Sequence, residues 1–230
     1  DAFKKILRTL PIYLVQGPPG VGKTHLITAL IKQIFEQEPD SRVLLTAQSH
    51  STVQHLFHEI EKTDVINGDG PETKLLVIQC NKQDKDDDTE VSDADIKAKN
   101  YLKKLIDSPL FKKSKSQNTK NTITSMMHGA KSKRYPLINQ LLRSANMVFS
   151  TTNAEPVERM IRDKAQFDWT IMEETGKVTG IELLSPLLLS HRRLMIGDHK
   201  QLPPYRSTEI KAILSDAEKL HRVPTHLHLG

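Results

Sequence analysis

Gly17-Pro18-Pro19-Gly20-Val21-Gly22-Lys23-Thr24 fits the phosphate-cradling pattern G-x-x-x-x-G-K-[ST] at every fixed position. Its surroundings constrain the fold more than the match does. Ile12-Tyr13-Leu14-Val15 precedes it, an apolar β-prone run that reads as a buried strand. Leu26, Leu30, Ile31 and Ile34 follow at helical spacing. Strand, glycine loop and helix in that order let successive backbone N–H groups close around a polyphosphate, with the helix N-terminus behind them favouring negative charge. Residues Gly17 through Lys23, Thr24 and His25 are therefore the candidate nucleotide-binding set. Lys23 would reach the β- and γ-phosphates of ATP, and the Thr24 hydroxyl would ligate Mg2+.

The strand–loop–helix order recurs along the chain, which suggests a parallel sheet with crossover helices. Val43-Leu44-Leu45-Thr46 leads into the polar stretch Ala47 to Thr52, then a helix with Val53, Leu56, Phe57 and Ile60 on one face. Leu75 to Ile78 reads as a third strand. From Asn146 the rhythm returns, with strands at Met147 to Ser150, Phe167 to Met172 and Arg193 to Ile196, and helices at Pro156 to Arg162, Ile181 to Leu189 and Thr208 to Leu220. A short helix is expected over residues 1–10, ended by Pro11.

Between these halves the composition changes. Asp84 to Asp95 is acidic and is expected to be a solvated loop. Lys97 to Arg134 holds eleven basic residues and one acid, Asp107, so this segment carries +10 and the rest of the chain −5 of the total +5. Lys112 to Ser132 has little to bury and reads as a mobile arm or a small helical excursion. The domain reading is residues 1–80 and 134–230 as one α/β unit, with 81–133 as a charged insertion. Lys112, Lys113 and Lys115 are candidates for sequence-blind phosphate contact, with a merely solvated lysine-rich loop as the alternative.

Cys80 is the single cysteine, so an internal disulfide and a cysteine-based zinc cluster are excluded. That usage suits a reducing cytoplasm or nucleus. No apolar run approaches the roughly 20 residues of a membrane span, so no membrane partner is expected. The chain begins at Asp1, which reads as a piece of something longer.

Glu173-Glu174 closes the strand that ends at Met172, where a carboxylate can serve a metal and its neighbour can activate water. Taken together, Gly17 to Thr24, Ala47-Gln48-Ser49-His50, Phe149-Ser150-Thr151-Thr152, Glu173-Glu174-Thr175 and Gly197-Asp198-His199-Lys200-Gln201-Leu202-Pro203-Pro204 resemble motifs I, Ia, Ic, II and III of superfamily-1 helicases, in the branch of the nonsense-mediated-decay and Dna-two-type enzymes. The resemblance covers residues 11–61 and 146–205. It implies a RecA-like fold, and a motor that hydrolyses ATP to move along a single strand of RNA or DNA. It implies Lys23, Glu174 and Gln201 as catalytic, with Glu174 the base and Gln201 the γ-phosphate sensor. Thr24 and Glu173 would serve the metal. Ser49, His50 and Thr152 would lie near the nucleic-acid backbone.

The resemblance also implies a second RecA-like domain after residue 230 and an adenine-binding glutamine upstream of Ala2, so the isolated chain is expected to be nearly inactive. Motif II here is Glu173-Glu174-Thr175-Gly176-Lys177 where the family carries Asp-Glu-Ala-x-Gln. Gln48 and His50 replace the family's proline and asparagine. A slower or altered cycle would originate at these positions. The rival reading, a nucleotide-gated binding or signalling module that does not unwind, has its best support in the altered motif II.

Overall fold

The computed structural model describes residues 2–67, 75–80, 82–83, 90–91, 93–198, 200 and 207–215. The first half runs α1 (Ala2–Arg8), β1 (Ile12–Gln16), α2 (Lys23–Gln37), β2 (Val43–Ala47), α3 (His50–Glu61), α4 (Asp64–Asn67) and β3 (Val77–Gln79). Two-residue strands β4 (Lys82–Gln83) and β5 (Glu90–Val91) pair antiparallel, apart from the main sheet. A helical excursion follows as α5 (Asp93–Asp107), α6 (Pro109–Lys113), α7 (Gln117–His128) and α8 (Lys131–Ser144). The second half is β6 (Met147–Thr151), α9 (Glu155–Arg162), β7 (Phe167–Met172), a 3-10 turn at Thr175–Lys177, α10 (Gly180–Leu187), β8 (Ser190–Gly197) and α11 (Ser207–Ser215).

The six main strands are all parallel, in the order β1-β8-β7-β2-β6-β3. Parallel strands need crossovers, and the crossovers place helices on both faces. Ile27, Leu30, Ile31 and Ile34 of α2 and Val53, Leu56 and Ile60 of α3 pack with Val43, Leu45, Phe149, Trp169 and Ile171 on one face. On the other, Ala94 and Ala98 of α5, Ile138 and Leu142 of α8, and Val157 and Met160 of α9 meet Leu44, Ile78 and Val148. β2 and β6 are buried at every position, which is why they read as continuous apolar runs. This is the α/β, RecA-like architecture that the motifs imply.

Two expectations are corrected. β1 is an edge strand among the described residues: Ile12 and Leu14 are 37% and 68% exposed, while Tyr13 and Val15 pack inward. An apolar run alone cannot tell a central strand from an edge one. The acidic stretch does not end as a solvated loop. Asp93 and Asp95 are buried in the first turn of α5, Asp93 bonding Lys97 Nζ and the Gln79 backbone N–H, and Asp95 bonding Arg134. Most of the remaining acidic residues of that stretch lie outside the described residues. Of the two readings for Lys112 to Ser132, the helical one is observed, with Ser108 and Ser116 as side-chain caps of α6 and α7. The boundary expected at residue 134 falls inside α8. The expected last helix is described as far as Ser215. No helix among the described residues is long and apolar enough to cross a membrane.

Candidate nucleotide site at the strand ends

Because all six strands run the same way, their C-terminal ends share one edge of the sheet. That edge collects the loop after β1, the start of α3 after β2, Thr152 after β6, the acidic pair after β7 and Asp198 after β8. A cleft of about 430 Å³ opens there, lined by the phosphate loop, His55, the acidic pair and its 3-10 turn, and Gly197-Asp198.

The loop is shaped by its glycines. Gly20 and Gly22 have φ of 78° and 81°, a backbone region that side chains disfavour. Gly17 is buried, and a Cβ there would stand 2.8 Å from Val21 Cγ2. Its N–H donates to the Gly197 carbonyl at 3.2 Å, which ties the loop to β8. Lys23 Nζ donates to the Gly17 and Pro18 carbonyls, both at 2.8 Å, so its ammonium stands in the mouth of the loop. Pro19 lines the cleft. Pro18, Val21 and His25 are exposed and do not line it.

Thr24 Oγ1 donates to Glu173 Oε1 at 3.1 Å. The other carboxylate oxygen, Glu173 Oε2, is buried and has no hydrogen-bond partner among the described residues. Burial pushes the Glu173 carboxyl above its ordinary range; the Thr24 bond opposes this, Glu174 adds to it, and His55 and Lys23 oppose it. An orphaned carboxylate oxygen beside a threonine hydroxyl is a hard-oxygen donor set, and it fits a magnesium ion.

Glu174 sits differently. Its backbone is left-handed, φ 56° and ψ 32°, a conformation that costs a non-glycine residue about 1–2 kcal/mol. Oε1 accepts from Lys177 Nζ at 2.7 Å and Oε2 from Thr52 Oγ1 at 2.9 Å. Thr52 belongs to α3, whose N-cap is Ser49: the Ser49 hydroxyl accepts the Thr52 N–H at 3.1 Å. β2 and β7 are neighbours in the sheet, so the loops at their ends meet. Ser49 and His50 are half-buried on this rim. Thr152 is 1% exposed, with its hydroxyl buried and unpartnered among the described residues. Gln201 lies outside the described residues. Lys112, Lys113 and Lys115 are exposed on the helical excursion and do not line the cleft.

Sequence reasoning missed Thr52 and His55, and placed Gly176 and Gly197 in motifs II and III without reading what they do. A Cβ on Gly176 would meet the Asp198 carbonyl at 2.6 Å, and one on Gly197 would meet Thr175 Oγ1 at 2.7 Å. These two glycines let the acidic turn close onto β8, where Thr175 Oγ1 donates to the Ile196 carbonyl at 3.2 Å. The one signal for Thr52 and His55 is their three-residue spacing on a helix that begins at a strand end.

A six-stranded parallel sheet with this glycine loop and acidic strand end defines the class: a RecA-like α/β domain. The chain belongs to the AAA domain family, whose profile matches residues 1–80 and 76–208. It is similar to the DNA replication ATP-dependent helicase/nuclease DNA2 of Saccharomyces cerevisiae, 26% identical over 206 residues, covering 89% of this chain and 10% of that protein. It is similar to the DNA-binding protein SMUBP-2 of Rattus norvegicus, 26% identical over 218 residues, covering 89% of this chain and 21% of that protein. The Regulator of nonsense transcripts 1 homolog of Drosophila melanogaster is 28% identical over 200 residues, covering 84% and 16%. The superfamily-1 helicase resemblance thus extends over most of the chain, which spans about a fifth or less of these relatives' lengths.

Proposed function

We propose that this domain binds ATP with magnesium and powers movement of a helicase or translocase along a single strand of RNA or DNA. The observation that carries the reading is the meeting of Thr24 and Glu173 in one cleft, with Glu173 Oε2 left over for a cation. In this reading Gly17 to Thr24 cradle the phosphates through backbone N–H groups, and Lys23 turns from the loop carbonyls to the β- and γ-phosphates. Thr24 and Glu173 would hold the magnesium, which would supply neutralising charge at the phosphates. Glu174 orients the attacking water and accepts its proton. Ser49 and His50, at the rim, meet the sugar–phosphate backbone, and the lysines of α6 and the turn after it add contacts that do not read bases. Gln201 is assigned to sensing the γ-phosphate through the motif alone.

The experiment is ATP turnover by the full-length protein, with and without a single-stranded RNA or DNA. Hydrolysis stimulated by the strand, and reduced about 10²–10⁴-fold by Glu174→Gln, is expected. Normal turnover by that variant would remove Glu174 from the role of base. The engagement of both Glu174 oxygens favours a second reading, a nucleotide-gated clamp that binds a strand without displacing its complement. Strand displacement by the full-length protein separates the two.

A further inference from the structure

A chain of hydroxyls runs from the rim of the cleft to Glu174. Ser51 Oγ and Ser49 Oγ lie 3.0 Å apart, Ser49 Oγ and Thr52 Oγ1 2.7 Å, and Thr52 Oγ1 and Glu174 Oε2 2.9 Å. A hydroxyl has one proton to give. An ionised carboxylate only accepts, so the Thr52 proton points at Glu174. Thr52 must then accept from Ser49, and Ser49 from Ser51. The chain is polarised inward, and each bond strengthens the next. Ser51, its outer end, is exposed.

At its inner end, Glu174 holds a donor on each oxygen, Thr52 on one and Lys177 on the other. Neither donor belongs to the phosphate loop. A carboxylate oxygen already engaged by a donor is a poorer acceptor for a proton from water, and its side chain is fixed toward α3. We propose that Thr52 is a positioning residue that restrains Glu174, and that the Ser51–Ser49–Thr52 hydroxyl chain releases the restraint when a backbone phosphate binds at the rim. A phosphate oxygen offers no proton. It draws the Ser51 and Ser49 protons outward, Thr52 Oγ1 loses its donor, and its hold on Glu174 weakens. The strand thereby sets how freely Glu174 meets the water. Lys177, where the family carries glutamine, supplies the second and charged half of the restraint.

This inference rests on the reading of Glu174 as the base of an ATP-hydrolysing site. The test compares the full-length wild type with Thr52→Val, nearly isosteric but without a donor, and with Thr52→Ser, which keeps the hydroxyl. Turnover of ATP is measured alone and with a homopolymeric single strand, oligouridylate and oligothymidylate in turn. Thr52→Val is expected to raise strand-free turnover roughly tenfold and to shrink the ratio of stimulated to strand-free rate by a similar factor, with Thr52→Ser close to wild type. Thr52→Ala gives the same comparison should valine not pack. An unchanged ratio, or a fall in strand-free turnover, overturns the restraint while leaving the ATPase reading standing. Absence of turnover in the wild type under every condition overturns the ATPase reading and the restraint with it.

Discussion

Thr24 at the start of α2 and Glu173 at the end of β7 share a 3.1 Å hydrogen bond across 149 residues of sequence. The bond joins the phosphate loop to the acidic strand end, and it engages one of the two oxygens of a nearly buried carboxylate. The other oxygen is buried and has no hydrogen-bond partner among the described residues, so ionising this carboxyl is costly. Burial raises its folded-state pKa, so its contribution to stability is fully present in acid and is lost as the pH rises through the raised value. Glu173→Gln is therefore expected to raise the melting temperature of the metal-free chain at pH 7 by roughly 2–4 °C. The difference should fade below pH ~4. Magnesium should stabilise the wild type and not the variant. A variant that melts lower at neutral pH would mean that the carboxylate is better satisfied than its geometry implies.

Gly176 and Gly180 lie four residues apart and should respond oppositely to the same change. A Cβ on Gly176 meets the Asp198 carbonyl at 2.6 Å, whereas one on Gly180 meets nothing within 4 Å. Gly176→Ala should destabilise by about 1–3 kcal/mol, as overpacking against backbone does. Gly180→Ala should be neutral or stabilise by up to ~1 kcal/mol. Denaturant midpoints of the two variants check this, and equal midpoints would contradict the close approach of the acidic turn to β8.

How much of this was legible in the sequence depended on whether the signal was local. The loop, α2, the buried strands and the acidic pair announce themselves within a few residues each. The Gly176–Asp198 approach is set by two strand ends meeting, and the residues concerned are 22 apart in sequence. Thr52 looked like one more hydroxyl after a polar loop, because its partner Glu174 lies 122 residues away. Asp95 looked solvated for the same reason: the guanidinium that pairs with it is 39 residues distant. Leu14 misled in the other direction, since an edge strand can be as apolar as a central one.

Arg134 should be the residue that holds the helical excursion together. It is buried, with Nε and Nη2 on the Asp95 carboxylate at 2.6 and 3.2 Å and Nη1 on the Met126 and Gly129 carbonyls at 3.0 and 2.7 Å. Arg134→Ala takes the guanidinium from the buried Asp95, leaving it Lys99 at 3.5 Å, and is expected to cost about 3 kcal/mol. Burial raises the Asp95 carboxyl, but the bond and charge of Arg134, with Lys99, outweigh it and leave it lowered. That stabilisation is present above the ordinary aspartate range and is lost as the pH falls through the lowered folded value. Hydrogen-exchange protection across α5, α7 and α8, taken relative to the intrinsic rate at each pH, should therefore fall in acid in the wild type, and already at neutral pH in the variant. Exchange unaltered by the substitution would contradict the assignment.

The lysines of the excursion give a prediction about salt. Lys112, Lys113 and Lys115 are exposed, and Lys120 lies close by, its Nζ donating to the Lys112 carbonyl at 3.3 Å. Replacing the four by serine should weaken binding to any single strand about equally, and should flatten the dependence of log affinity on log salt by roughly 0.7 per lost phosphate contact. An unchanged slope would place the nucleic acid elsewhere.

The claim on which the account turns is that the strand-end cleft takes a nucleoside triphosphate through the phosphate loop, with Lys23 as its cation. The most direct measurement is calorimetric titration of ATP with magnesium into the full-length protein and its Lys23→Ala variant, with circular dichroism to show that both are folded. The account predicts binding by the wild type and a loss of at least about tenfold in affinity in the variant, as expected for a hydrogen bond between charged groups. Equal affinity in a folded Lys23→Ala protein would contradict it.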